Sequence, residues 1–325
     1  MSHSTENPVE RPNAAVPEHA EHRDSAPELL ARARYPVHRL FVGADGLRPG
    51  WRILLFLAIA AAIGFVLTGV TSHWHPQGAG KLWQGWLLEL ELFLATVASA
   101  FFMSRIEDRP IGDYGLPVKA AFGKSFWVGT IWGFVWLTIL MLALRVAGAF
   151  EFGGLAIHGV RVLRFAAFYA LVFLTVGFFE EFVVRGYVLF TLTKGMGFWP
   201  SAILLSAVFG GLHYNNQGEG WIGLLGAGFI GLFFCLTLRR TGALWFAVGF
   251  HAAWDWGESY FYSVPDSGEI SPGHLMNSSF HGARWLTGGS IGPEGSVLLF
   301  VVIALLWVAF DRVYREAKYH AGSPT

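Results

Sequence analysis

Apolar positions along this chain gather in long unbroken runs separated by short polar breaks, and do not show the strict alternation of half-buried strands. Eight runs stand out: Trp51–Val70, Leu82–Met103, Ser125–Leu144, Leu163–Leu192, Trp199–His213, Trp221–Leu238, Thr241–Trp256 and Ser296–Phe310. A helix needs roughly 20 apolar residues to cross the hydrocarbon core of a bilayer. Three of the runs fall short of that, as helices enclosed by other helices can. The pattern predicts an all-α fold, a polytopic membrane helix bundle of about eight transmembrane helices. Met1–Arg34, rich in Glu, Pro, Ala, His and Arg, holds no apolar run. It predicts a disordered N-terminal tail, placed at residues 1–45, ahead of a membrane domain over 46–325. The longest polar break, Tyr260–Gly295, is rich in Gly, Ser and Pro and has room for a lid or a re-entrant segment.

Charge fixes the orientation. With eight spans, Arg32, Arg34, Arg39, Arg48, Arg52, Arg105, Arg109, Lys119, Lys124, Lys194, Arg239, Arg240, Arg312, Arg315 and Lys318 share one side. Lys81, Arg145, Arg161, Arg164 and Arg284 are left on the other. Basic residues stay cytoplasmic, so both termini are expected inside. The setting this suggests is an integral protein of a bacterial inner membrane, with membrane lipid as a constant partner. Only 14% of residues are charged, far below a soluble chain, and the net charge of zero gives no basic surface for nucleic acid. The single cysteine, Cys235, sits in an apolar run and reads as an inert buried thiol.

Ionisable side chains inside spans are costly, about 2.5–3.5 kcal/mol each on insertion scales, and mark function by default. Three clusters occur. Glu180-Glu181-Phe182-Val183-Val184-Arg185 places Glu181 and Arg185 at i and i+4, acid first, the better orientation for an ion pair on a helix. Glu180 points about 100° away and is left to face a polar cavity. Phe209-Gly210-Gly211-Leu212-His213 ends the fifth run, and its glycines allow close approach. In the seventh, His251 and Asp255 again lie at i and i+4 and face one way. At 1.5 Å per residue, Glu180, His213, His251 and Asp255 all lie about 15–21 Å from the cytoplasmic ends of their spans. They share one layer and can converge.

These motifs, Glu-Glu-x-x-x-Arg, Phe-x-x-x-His and His-x-x-x-Asp in that order, resemble those of the CPBP intramembrane peptidases. That family takes in CAAX prenyl protease 2 and lysostaphin resistance protein A-like proteins. The Asp113-Tyr114-Gly115-Leu116 segment resembles a short loop that often precedes the motifs in bacterial members. Asp255 stands where eukaryotic prenyl proteases typically have Asn. The resemblance implies an endopeptidase acting on membrane-associated or lipid-modified peptides and proteins. By the same implication Glu180 activates the attacking water, and Glu181 and Arg185 hold it in place. His213 shares the water or ligates a metal, while His251 and Asp255 bind a metal or stabilise the oxyanion. Two mechanisms follow: a Zn2+ site built on His213 and His251 with a carboxylate, or a metal-free glutamate–histidine pair. A proton-coupled transporter and a non-catalytic scaffold are the alternatives, though no internal repeat relates two halves. Glu89 and Glu91 are expected at the interface or in one inter-helix hydrogen bond. His73, His75, His274 and His281 are expected in solvated loops.

Overall fold

The computed structural model describes residues 41–43, 46–72, 81–216, 218, 220–270 and 272–319. The expected tail through Arg34, and His73 and His75, lie outside the described residues. The chain separates into two units, residues 1–47 and 48–325. In the first, β1 (Val42–Gly43) pairs antiparallel with β2 (Gly46–Leu47).

In the second unit every one of the eight apolar runs is helical. The first three are α1 (Pro49–Thr71), α2 (Lys81–Ile106) and α3 (Lys124–Val146). The fourth run is where expectation and structure part. In place of one regular helix, α4 (Val160–Glu181) opens into a wide π-helical turn over Phe182–Val188. Gly186 leaves helical geometry there, at φ −81° and ψ −113°, and α5 (Leu189–Met196) resumes the path. Then come α6 (Phe198–Leu212), α7 (Trp221–Thr241) and α8 (Trp245–Trp256). A second π turn, Gly257–Tyr262, extends α8. A short helix α9 (Arg284–Thr287) precedes α10 (Leu298–Val313). Five segments are long and apolar enough to cross a membrane by themselves: 49–71, 83–106, 124–146, 160–196 and 221–241. The chain is an all-α integral membrane bundle.

The shortest of the eight, α8, has 12 residues because it need not meet lipid: Trp245 through Phe250 and Ala253 through Asp255 are buried. Small residues on its neighbours make this possible. A Cβ on Gly129 or Gly133 of α3 would strike the carbonyl oxygen of Phe246 or Phe250, and one on Gly249 would strike that of Phe126. In a bilayer such backbone-to-backbone approach supplies the packing that the hydrophobic effect supplies in water. Both ends of α8 are tied down. At its start the Leu244 amide donates to the Gly115 carbonyl at 2.7 Å, so the Asp113–Leu116 segment works as a latch. Tyr114 packs edge-on against Tyr187 and Phe190, and the Tyr187 hydroxyl donates to Glu107 at 2.6 Å. Beyond its far end, the 260–295 break is an ordered loop. Its strand β4 (Ser279–Phe280) pairs with β3 (Phe150–Glu151) in the α3–α4 connection.

The α3–α8 contact predicts an asymmetry between two glycines. Gly133→Ala, which places a methyl group against backbone, costs about 1–3 kcal/mol as an overpacking change. Gly85→Ala, with nothing within 4 Å, does not destabilise the fold. Thermal unfolding of the two variants in detergent reads the difference.

Candidate active site

The site grows from one buried cation. Arg185 is 1% exposed, and its guanidinium needs an anion inside a region where water does not reach. Glu181, four residues earlier and 0% exposed, supplies it through an Nη1–Oε1 contact of 2.9 Å. The expected i,i+4 pair is therefore present. The rest of the guanidinium is held by rings, with Cζ 4.1 Å from the Phe209 centroid and 5.7 Å from that of Phe234. Space for it comes from α7, where a side chain on Gly231 would collide with the guanidinium.

Glu181 then reaches across to α8. The His251 Nδ1–H donates to the same Oε1 at 3.0 Å, and the imidazole stacks on Phe234 with an interplanar angle of 22°. Fixing Nδ1 fixes the other nitrogen. Nε2 faces Glu180 Oε2 at 3.6 Å and Asp255 Oδ2 at 3.5 Å. One histidine thus stands among three carboxylates on two helices. Glu180, with 28% of its side chain exposed against 0% for Glu181, is the member that meets the open space, as its 100° offset requires.

That space is a cavity of about 480 Å³, bordered by Glu180, His213, His251 and Asp255 together. It falls within the 300–1,000 Å³ of small-molecule sites, room for a short stretch of peptide as well as water. His213 enters from a 3₁₀ turn at the end of α6, where its Nδ1 is 2.8 Å from the Phe209 carbonyl. A carbonyl only accepts, so Nδ1 carries the proton and Nε2 of the neutral ring is an acceptor. The structure brings His213 to the same cavity as the other site residues, while its hydrogen bond and ring contact are both to Phe209.

The donors fit zinc in kind, nitrogen and carboxylate oxygen. At the His251 corner they also fit in spacing, since two ligands of one tetrahedral zinc lie about 3.3 Å apart. Among the described residues, the group whose ligand atoms all lie within 4.8 Å of one another is a different one: Glu258, Asp266 and Glu294.

Several lining residues escaped the sequence reading. Glu89 borders the cavity, whereas its neighbour Glu91 makes the expected inter-helix bonds, accepting from Thr68 at 2.7 Å and from Thr71 at 2.5 Å. Asn215, Asn216, Ser259, Asp266, Glu269 and Glu294 also border it. Glu89 carried a signal as a carboxylate inside a span. The others sit in or beside loops, where polarity is ordinary and gives none. Of the loop histidines, His274 is half-buried with Nδ1 2.8 Å from the Met276 carbonyl, and His281 is 56% exposed in its side chain.

Fold and site together define a membrane bundle that encloses a carboxylate–histidine centre. Residues 162–257, from α4 to the end of α8, match the family model described as type II CAAX prenyl endopeptidase Rce1-like. The matched segment contains Glu180, Glu181, Arg185, His213, His251 and Asp255. The match spans less than a third of the chain. No curated protein and no solved structure matches the chain.

The buried pair predicts a non-additive stability pattern. Arg185→Met leaves Glu181 as an uncompensated buried charge and costs about 3–5 kcal/mol. The double variant Glu181→Gln, Arg185→Met recovers part of that loss. Melting temperatures of both singles and the double, measured in one detergent, form the cycle. A double variant that loses the sum of the singles refutes the pairing.

Proposed function

We propose that this chain is an intramembrane endopeptidase that hydrolyses peptide bonds in membrane-associated or lipid-modified peptides and proteins. The observation that carries the reading is Glu180: a partly exposed carboxylate facing a cavity, beside a histidine whose other nitrogen is held by a buried Glu–Arg pair. Glu180 takes a proton from a water in the cavity, and the hydroxyl adds to the peptide carbonyl carbon. The Glu180 carboxylic acid then returns that proton to the amine nitrogen as the C–N bond breaks. His213 accepts the second hydrogen of the water through Nε2 and orients it. Glu181 and Arg185 position His251 and take no direct part. His251 and Asp255 border the carbonyl oxygen of the substrate.

The zinc version uses the same residues. His213 Nε2 and His251 Nε2 with a carboxylate would hold the ion, which when bound lowers the pKa of its water to about 7. The charge asymmetry of the loops supports both termini in the cytoplasm.

Glu180→Gln keeps the shape of the side chain and removes the base. Cleavage of a membrane-peptide library is expected to fall about 10²–10⁴-fold, with melting temperature unchanged. Elemental analysis of the chain purified without chelator separates the two versions. About one zinc per chain, lost in His213→Ala, selects the metal site. Cleavage by metal-free protein selects the glutamate–histidine pair. Retained cleavage in Glu180→Gln overturns the assignment, and pH-dependent uptake into sealed vesicles with no cleavage points to transport.

A further inference from the structure

Beyond the motif residues, the far end of α8 holds a second charged group that the proteolytic reading does not use. Glu258 lies in the π turn that extends α8 and is 0% exposed. Among the described residues, neither of its carboxylate oxygens has a partner within hydrogen-bond geometry. A buried carboxylate without a donor or a cation is among the most expensive arrangements a protein can hold. Glu258 is not isolated. A ligand oxygen on it lies within 4.8 Å of one on Asp266 and one on Glu294, both from the 260–295 loop. Asp266 accepts a hydrogen bond from Ser259 at 3.0 Å, and Glu294 one from Ser267 at 3.2 Å. Those serines hold the two loop carboxylates beside Glu258. Burial pushes the Asp266 carboxyl well above its usual range, with Asp255 and Glu294 adding to the effect.

We infer that Glu258, Asp266 and Glu294 form a binding site for a hard divalent cation such as calcium, separate from the Glu180–His251 centre. The donors are all oxygen, which selects calcium, magnesium or manganese over zinc or copper. Ligand oxygens within 4.8 Å of one another are close enough to share one such ion, whose bonds run 2.3–2.6 Å for calcium. The site joins a helix to a loop: Glu258 belongs to the extension of α8, while Asp266 and Glu294 also border the cavity beside Asp255. A bound cation therefore ties the 260–295 loop to the end of α8 at the cavity wall.

The test uses the full chain in detergent, stripped with chelator and titrated with terbium, whose luminescence is sensitised by nearby tryptophan. Sensitised emission is expected, displaced by calcium, together with a calcium-dependent rise in melting temperature. Glu258→Gln and Asp266→Asn are each expected to weaken terbium binding at least about tenfold, because affinity follows the ligand charge count. Glu258→Gln removes the unpartnered charge, so its melting temperature without calcium is expected to match or exceed wild type while the calcium response is lost. If that variant does not fold, Glu294→Gln serves for the same reading. Absence of sensitised emission, emission indifferent to these substitutions, or a wild-type melting temperature that calcium does not move overturns the site.

Discussion

A guanidinium that cannot reach water is the constraint around which the centre of this protein is arranged. Arg185 is always charged, so burying it inside a membrane bundle demands an anion at contact distance, with room for the guanidinium and ring faces to hold it. Glu181 meets the first demand, and Gly231 with the rings of Phe209 and Phe234 meets the second. Replacing such a pair with apolar side chains of similar volume is commonly neutral or stabilising, so stability alone does not account for it. Its effect is geometric. The Glu181 oxygen that binds Arg185 also binds His251 Nδ1, and a histidine fixed at one nitrogen presents the other in a single direction. The ion pair turns a mobile imidazole into a rigid element beside Glu180.

Rigidity of that kind depends on where α8 sits. A 12-residue helix cannot span a bilayer, and in contact with lipid its His and Asp would be unaffordable. Surrounded on its sides by α3, α4 and α7, it meets neither difficulty. The approach of α3 is close enough that glycines face carbonyl oxygens. The two π turns work in the same direction. The one after Glu181 interrupts the fourth span beside the carboxylates, and the one after Trp256 carries α8 out to the loop that walls the cavity. Wide turns of this sort concentrate at functional sites because each re-aims the side chains around it.

Much of this was legible in the residues. Apolar runs located the long helices, since the membrane forces backbone hydrogen bonds to close within each segment. The offset between Glu180 and Glu181 separated the cavity-facing carboxylate from the paired one, because helical geometry leaves adjacent residues no choice. What escaped was of two kinds. The break at Gly186 has Phe182 and the Tyr114 carbonyl packed around it, a tertiary fact with no local sign in a run that reads as one continuous helix. Asp266 and Glu294 escaped for another reason. Polar residues in a Gly- and Pro-rich break look like any solvated loop, and only its folding back onto α8 makes them part of a wall.

That wall changes what the cavity can accept. Glu89, Glu180, Asp255, Asp266, Glu269 and Glu294 border it, and among its described lining residues there is no lysine or arginine, the basic groups being His213 and His251. Like charges brought together across an interface cost several kcal/mol. A free chain terminus, with its carboxylate, therefore meets repulsion at the loop end of this cavity, whereas an internal amide carries no charge to repel. On the peptidase reading proposed above, an acidic wall of this composition favours cleavage at a distance from a terminal carboxylate. A cation held between the loop and α8 would reverse that preference, since it offsets the charge at the end of the cavity where a terminal carboxylate would otherwise be refused.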